Sequence, residues 1–214
     1  SEYFRPIDYV PVDETWQRSI CNAFGWKFIA PSRGRAVNDL YRIPSKTPPK
    51  TPTSIKGDGN CWYRSIAHIA TGDQENYVDV KNSVMEFMRA NIDMLQKTFE
   101  DLPHYRRQYR YFFNTQFARN VIHFHSMPNQ WARNVTMEMT AVMLQTRFYL
   151  YTTGGGWTCI DNGNYPVWSR RNEMTTYPRN VNSALIPDLS RHSMYINHLN
   201  HNHFETCHTG LNRI

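Results

Sequence analysis

Two observations predict an α+β fold. Apolar residues recur at three- and four-residue spacing from residue 61 to about 144, the repeat of helices with one buried face. From Arg147 onward the pattern changes to short aromatic and β-branched runs separated by glycine or asparagine turns, which reads as strands. Helices gathered in the first half and strands in the second predict helices packed on one small, mostly antiparallel sheet. At 214 residues the chain is one domain, or one domain with an extension, and long enough to bury a real core.

Residues 1–30 carry Tyr3, Phe4, Trp16, Phe24, Trp26 and Phe28, with Trp16, Ile20 and Phe24 on one face of a short helix. From Pro31 to Ile55 the composition shifts to Arg, Ser and Thr with Pro44, Pro48, Pro49 and Pro52. Proline at that density removes backbone donors and fixes φ, so an extended connector is expected. The predicted organisation is an N-terminal extension with a proline-rich linker over 1–53 and a domain over 54–214.

A helix is predicted from Cys61, with Tyr63, Ile66, Ala67 and Ala70 periodic, Asn60 as cap and Gly72 as terminator. A second runs from about Asn76 to Phe99 through Tyr77, Val80, Val84, Phe87 or Met88, and Leu95, with Lys81, Glu86 and Arg89 off that face. Pro103 interrupts it. Residues 105–125 interleave Tyr109, Phe112, Phe113 and Phe117 with Arg106, Arg107, Arg110 and Arg119 and read as helical. So short a basic patch is more often core aromatics under wet arginines than a surface for single-stranded nucleic acid. Residues Pro128–Trp131 open a further helix, with Val135, Met139, Val142 and Met143 periodic and Asn134 as its cap. Phe148–Tyr151 is a strand, residues 154–156 a turn and Trp157–Ile160 the return strand. Tyr165–Trp168 adds an edge piece and 169–192 a loop. Met194–Ile196 is a strand, Asn197–Asn202 a polar turn and His203–Cys207 the last strand.

The 24 basic against 18 acidic residues leave a formal charge of +6, but the basic residues are dispersed, so no nucleic-acid partner is expected. No apolar run has the length of a membrane span. Cysteines at 21, 61, 159 and 207 are too few for a disulfide scaffold and form no Cys-x-x-Cys pair. Reduced thiols and a cytoplasmic or nuclear setting are expected.

The chemistry concentrates at Gly57-Asp58-Gly59-Asn60-Cys61-Trp62-Tyr63-Arg64-Ser65. A tight polar turn delivers Cys61 to the first helical turn, where unpaired N–H groups and the positive end of the helix dipole predict a depressed thiol pKa. Backbone N–H groups of Asp58, Gly59, Asn60 and Cys61 are candidates to hold a developing oxyanion. The alternative is a buried structural thiol. A thiol nucleophile needs a base, and His203 begins a strand on which Glu205, two residues on, shares its face. His198, His201, His203, Cys207 and His208 also admit a zinc reading, which the lack of a second ligand group disfavours.

Residues 57–65 resemble the nucleophile motif of the ovarian-tumour (OTU) cysteine proteases, and His203-Phe204-Glu205 resembles that family's histidine motif. Trp131-Ala132, followed by a helix and the strand Phe148–Tyr151, is similar to the tryptophan-led segment between the two. The resemblance covers about 54–208, with particular similarity to OTU domains encoded by viruses or mobile elements. It implies a papain-type cysteine protease fold and a deubiquitinase cutting the (iso)peptide bond after the C-terminal glycine of ubiquitin or a ubiquitin-like modifier. The implied partners are ubiquitin and polyubiquitin chains, with no metal or other cofactor and no membrane. Carried across, Cys61 is the nucleophile, His203 the base and Glu205 the orienting group. Asp58 joins the catalytic set, and the backbone around it, Gly59 and Cys61 forms the oxyanion hole. Trp62, Trp131 and Phe204 are candidates to line a narrow channel for the glycine tail. The family usually has Asp or Asn where Glu205 stands, so Asn200 and Asn202 are alternative orienting groups. A ubiquitin-binding module that has lost catalysis is the rival reading.

Overall fold

The helix that begins at Cys61 has no solvent face: every residue from Cys61 to Thr71 is buried. Such a helix must be covered from all sides, and the order of the other elements does this. The computed structural model describes residues 7–32, 42–43, 46–51, 53–101, 103–108, 110–111, 114–160, 192–200 and 202–207. In chain order these form β1 (Ile7–Asp8), α1 (Glu14–Phe24), β2 (Arg42–Ile43), α2 (Cys61–Thr71), a 3-10 turn (Gln74–Asn76), α3 (Tyr77–Ala90) and α4 (Ile92–Asp101). There follow α5 (Pro103–Gln108), α6 (Phe117–Ser126), α7 (Asn134–Leu144), β3 (Arg147–Thr152), β4 (Gly156–Ile160), β5 (Ser193–Leu199) and β6 (His203–Thr206). The α+β layout is as expected.

The main sheet has the order β4-β3-β5-β6. Its two hairpins, β3–β4 and β5–β6, are antiparallel, and they join through a parallel β3–β5 pairing. A parallel pair needs a long crossover, and the connecting residues 161–191 lie outside the described residues, as do the expected edge piece Tyr165–Trp168 and nearly all of the loop after it. Side chains alternate between the sheet's two faces. Phe148, Leu150, Met194, Ile196 and Phe204 join the core around α2. On the back face Tyr195, Trp157 and Cys207 form a second cluster with Tyr9 and Ile43. Asn197 and His198 belong to β5 rather than to the expected turn.

The described residues ahead of 54 pack against both layers. An α-helix leaves its last carbonyls without partners. Here Gln17 Nε2 donates to Ile69 O (2.8 Å), the Cys21 thiol to Ala70 O (3.2 Å), and the Ile29 and Ala30 N–H groups to Thr71 O (2.7 and 3.0 Å). The α1 face is the predicted one, with Trp16 and Ile20 fully buried and Phe24 packed at its margin. On the back of the sheet the Tyr195 hydroxyl donates to Asp8 O (2.7 Å) and accepts from the Val10 N–H (2.9 Å). In the proline-rich connector, Thr53 bridges Thr206 and Trp157 Nε1 donates to Thr47 O; residues 33–41, Pro44, Ser45 and Pro52 lie outside the described residues.

Gly72 ends α2 in the left-handed region (φ +88°), as its glycine predicts. Asn60 stands at the N-cap position, but its side chain makes no capping bond. The helix expected over 76–99 breaks at Asn91, whose Nδ2 donates to Phe87 O (2.9 Å) and competes with the backbone ladder. Lys81, expected off the apolar face, is buried and donates through Nζ to Met127 O (2.6 Å). Asn134 is the first residue of α7 rather than its cap; Arg133 precedes it, with its N–H donating to Thr136 Oγ1 (2.9 Å). In the basic segment Phe117 packs edge-on to Phe99 in the core, and Arg106, Arg107, Arg110 and Arg119 face solvent. Tyr109, Phe112 and Phe113 lie outside the described residues.

His68 fastens α2 to β6: its Nδ1 and Thr206 Oγ1 share a buried hydrogen bond at 3.0 Å. Burial holds this imidazole down at about 4, and His125, also chiefly through burial, is at about 4. A depressed histidine stays neutral when folded while the unfolded chain takes up protons below about 6.5. Stability is therefore full above that value and falls as pH drops toward 4, by up to about 1.4 kcal/mol per pH unit for each histidine. Urea midpoints measured between pH 7 and 4 should show this slope, and a His68→Gln, His125→Gln double variant should flatten it.

Candidate active site

The turn ahead of α2 is held by a buried arginine. Arg64 Nε lies 3.1 Å from each Asp58 carboxylate oxygen, and its Nη2 lies 2.6 Å from Oδ2. Its Nη1 reaches Glu75 at 3.0 Å, and its guanidinium covers the Tyr77 ring at 4.0 Å. The Arg64 bonds, helped by the Asn60 N–H (3.1 Å), hold the Asp58 carboxyl down at about 2. The carboxylate expected in the catalytic set thus positions the turn. The Asn60 N–H expected for an oxyanion is committed to that carboxylate.

Residues 127–131 buttress the other side. Gly59 has φ +84°, and a Cβ there would sit 2.5 Å from Asn129 O. Only glycine combines that conformation with that approach. Asn60 Nδ2 donates to Asn129 Oδ1 at 2.9 Å, and Lys81 holds Met127 O behind them. Asn129 and Lys81 were missed as positioning groups. Neither role is readable from the sequence, because each rests on a contact with a residue far along the chain.

Cys61 opens α2 with 5% of its surface exposed. Burial raises its thiol above the ordinary value, outweighing the N–H groups of Phe204, Trp62 and Cys61 itself, while the Asp58 charge adds to the rise. The expected net depression is not what the resting site shows: the N–H groups act in the expected direction, but desolvation is larger. The Phe204 contact ties β6 to the start of α2. His203 precedes Phe204, and its ring Nδ1 and Cε1 lie against Gly57, each 3.7 Å from where a Cβ on that glycine would be. The opposite nitrogen, Nε2, is 3.5 Å from Glu205 Oε1. The imidazole is therefore lodged between the turn leading to Cys61 and Glu205.

A cleft of about 560 Å³ runs between the start of α7 and the front of the sheet and reaches Cys61. Trp131, 54% exposed, forms its rim and Phe204 its wall. Trp62 is a correction: it is 1% exposed, donates through Nε1 to Thr140 Oγ1, and packs on Phe148 and Phe204. It backs the wall from inside. Among the described residues no group of three His, Cys, Asp or Glu side chains could hold a metal ion. His201 and His208 of the zinc reading lie outside them, His198 stacks on Phe204, and Cys207 is buried in the back-face cluster.

Asp58→Asn leaves Arg64 buried with Glu75 as its remaining carboxylate and should destabilise the protein by about 3 kcal/mol at pH 7. The wild-type carboxyl, lowered from 3.8 to about 2, confers its stability above the first value and loses it as pH falls through the second. The gap in urea midpoint between the two proteins should therefore close from pH 4 to 2. Gly59→Ala should cost about 1–2 kcal/mol in melting experiments through its left-handed backbone and, by displacing the turn, slow alkylation of Cys61.

Comparison with curated protein sequences finds no match. Among solved structures, the chain is similar to the OTU domain protease of Farallon virus (15% identity, 75% of this chain and 84% of that chain, TM-score 0.47). It is also similar to the Hazara virus OTU bound to ubiquitin (15%, 77% and 89%, TM-score 0.41). A third is an OTU deubiquitinase of Wolbachia pipientis wMel (16%, 74% and 86%, TM-score 0.45). The sequence model of the OTU-like cysteine proteases matches residues 56–185, well over half of the chain. With that match added to the Cys61 turn, the His203 strand and the α+β frame that joins them, the chain belongs to the OTU-like cysteine protease family.

Proposed function

We propose that the protein is a deubiquitinase, a thiol hydrolase acting on the bond after the C-terminal glycine of ubiquitin or a ubiquitin-like modifier. The observation that carries this reading is the meeting of α2 and β6: the Phe204 N–H bears on the Cys61 sulfur while the preceding imidazole is lodged between Gly57 and Glu205. Family membership supports a ubiquitin-directed protease, and a cleft ending at the thiol supports entry of a narrow peptide tail.

In this mechanism His203 Nδ1 takes the Cys61 proton, and the thiolate attacks the carbonyl carbon of the terminal glycine. Burial that opposes an isolated thiolate makes the neighbouring imidazolium necessary: the two charges form together as a pair. The Gly59 and Cys61 N–H groups hold the oxyanion of the tetrahedral intermediate. His203 then protonates the departing lysine amine, and water, deprotonated by the same imidazole, hydrolyses the thioester. Glu205 orients the ring. A binding module without catalysis would share the cleft but not the proton transfer.

Ubiquitin bearing a C-terminal electrophile should form a covalent adduct at Cys61 that Cys61→Ala abolishes and His203→Ala slows by roughly 100-fold or more. Linkage-defined diubiquitins should be cleaved by the same protein. Absence of both adduct and cleavage would leave the binding module.

A further inference from the structure

Asn197 holds a buried carbonyl oxygen that has no hydrogen-bond partner among the described residues. The residue is 7% exposed, and an unused acceptor at that depth is destabilising, so it calls for an explanation. Its place in the sheet supplies one. On the β5–β6 ladder Asn197 stands opposite Glu205, and Leu199 stands opposite His203. Opposed residues share a face, so Asn197, Glu205 and His203 project to one side while Phe204 and Thr206 are buried on the other. Opposed Cβ atoms lie about 5 Å apart and diagonal ones somewhat less than about 7–8 Å, a gap that an aromatic ring such as that of His203 can span. The asparagines expected to help do not meet this condition. Asn200 and Asn202 are exposed in the hairpin turn, and Asn202 lines the cleft with Phe204.

The need for another acceptor is visible at His203. Its Nε2 has Glu205 Oε1 at 3.5 Å, longer than the roughly 2.7–2.9 Å of a charge-assisted bond. A base that must keep Nδ1 aimed at a thiol needs its far nitrogen held more firmly than that. We propose that Asn197 is a positioning residue for His203, its Oδ1 accepting from the ring Nε2–H alongside Glu205. The neutral ring then carries its proton on Nε2 and leaves Nδ1 free to take the thiol proton; the imidazolium formed keeps the same Nε2–H bond. The retained orphan oxygen is in this view a site poised for the reacting ring. This inference rests on the hydrolase reading of Cys61 and His203.

The test uses the full chain with ubiquitin carrying a C-terminal fluorogenic amide, and Asn197→Leu, Asn197→Asp and Glu205→Gln as variants. Asn197→Leu keeps the volume and removes the orphan acceptor, so its melting temperature should equal or exceed that of the wild type. Its kcat should fall roughly 10- to 100-fold with KM within about twofold. Asn197→Asp restores an oxygen acceptor and should recover most of the rate. A purely structural asparagine would give the reverse: a lower melting temperature and an unchanged rate per folded molecule, which overturns the proposal. Nitrogen-15 spectra of the histidine rings supply a readout independent of turnover. The Nε2–H tautomer of His203 should dominate in the wild type and decline in Asn197→Leu. If the wild type cleaves no ubiquitin, the hydrolase reading fails and the ring spectrum alone decides. A shift in Asn197→Leu then upholds the placement of Asn197 on His203, and an unchanged spectrum overturns it.

Discussion

The enclosure of α2 is the constraint on which the site depends. A helix with one wet face can roll or slide by fractions of an ångström at little cost, because water replaces whatever contact is lost. This helix has no such freedom. Its C-terminal carbonyls are taken by groups from residues 17–30, its middle is tied to β6 through His68 and Thr206, and its first turn is tied to Asp58 through Arg64. Each tie is polar and buried or half-buried, so breaking it leaves a donor or acceptor stranded. A thiol at the end of such a helix has a defined position relative to the strand beside it. The position of the sulfur is therefore set from the interior.

The electrostatics of the site follow from the same burial. Desolvation raises the Cys61 thiol, and the nearby Asp58 charge raises it further. An ionised aspartate three residues before the thiol opposes its ionisation. Arg64, itself almost fully enclosed, offsets that charge while using it to fix the turn. The arginine therefore fixes the turn that carries the sulfur without touching it. His203 is placed differently. It sits at a strand start with 22% of its side chain exposed.

Much of this was legible in the chain because the signals are local. Gly72 ends α2 where a glycine should, and the change of apolar period near residue 147 marks the first strand of the sheet. The paired motifs around Cys61 and His203 lead to one place because the residue types themselves carry chemistry. What was not legible depends on partners far along the chain. Nothing near Lys81 says that its ammonium will meet the carbonyl of Met127. Trp62 lies in a catalytic motif, yet its indole points to the interior, because the helix it follows is covered on all sides. Asn197 reads as turn by composition, but its register opposite Glu205 makes it strand, and register is set by pairing across the sheet. The thiol pKa had the same character: the helix N-terminus is local, the burial that outweighs it is not.

The carbonyls at the end of α2 bear on where this protein can be cut. The family match begins at residue 56, and a recombinant fragment started there would appear to contain every motif. It would lack Gln17, Cys21, Ile29 and Ala30, so three main-chain oxygens would face a void once filled by Trp16 and Ile20. Tyr195 would lose both of its main-chain contacts to residues 8–10, loosening the strand that carries Asn197. The boundary that homology draws and the boundary that packing draws are about fifty residues apart, and it is the second that governs whether a shortened version keeps its thiol in line.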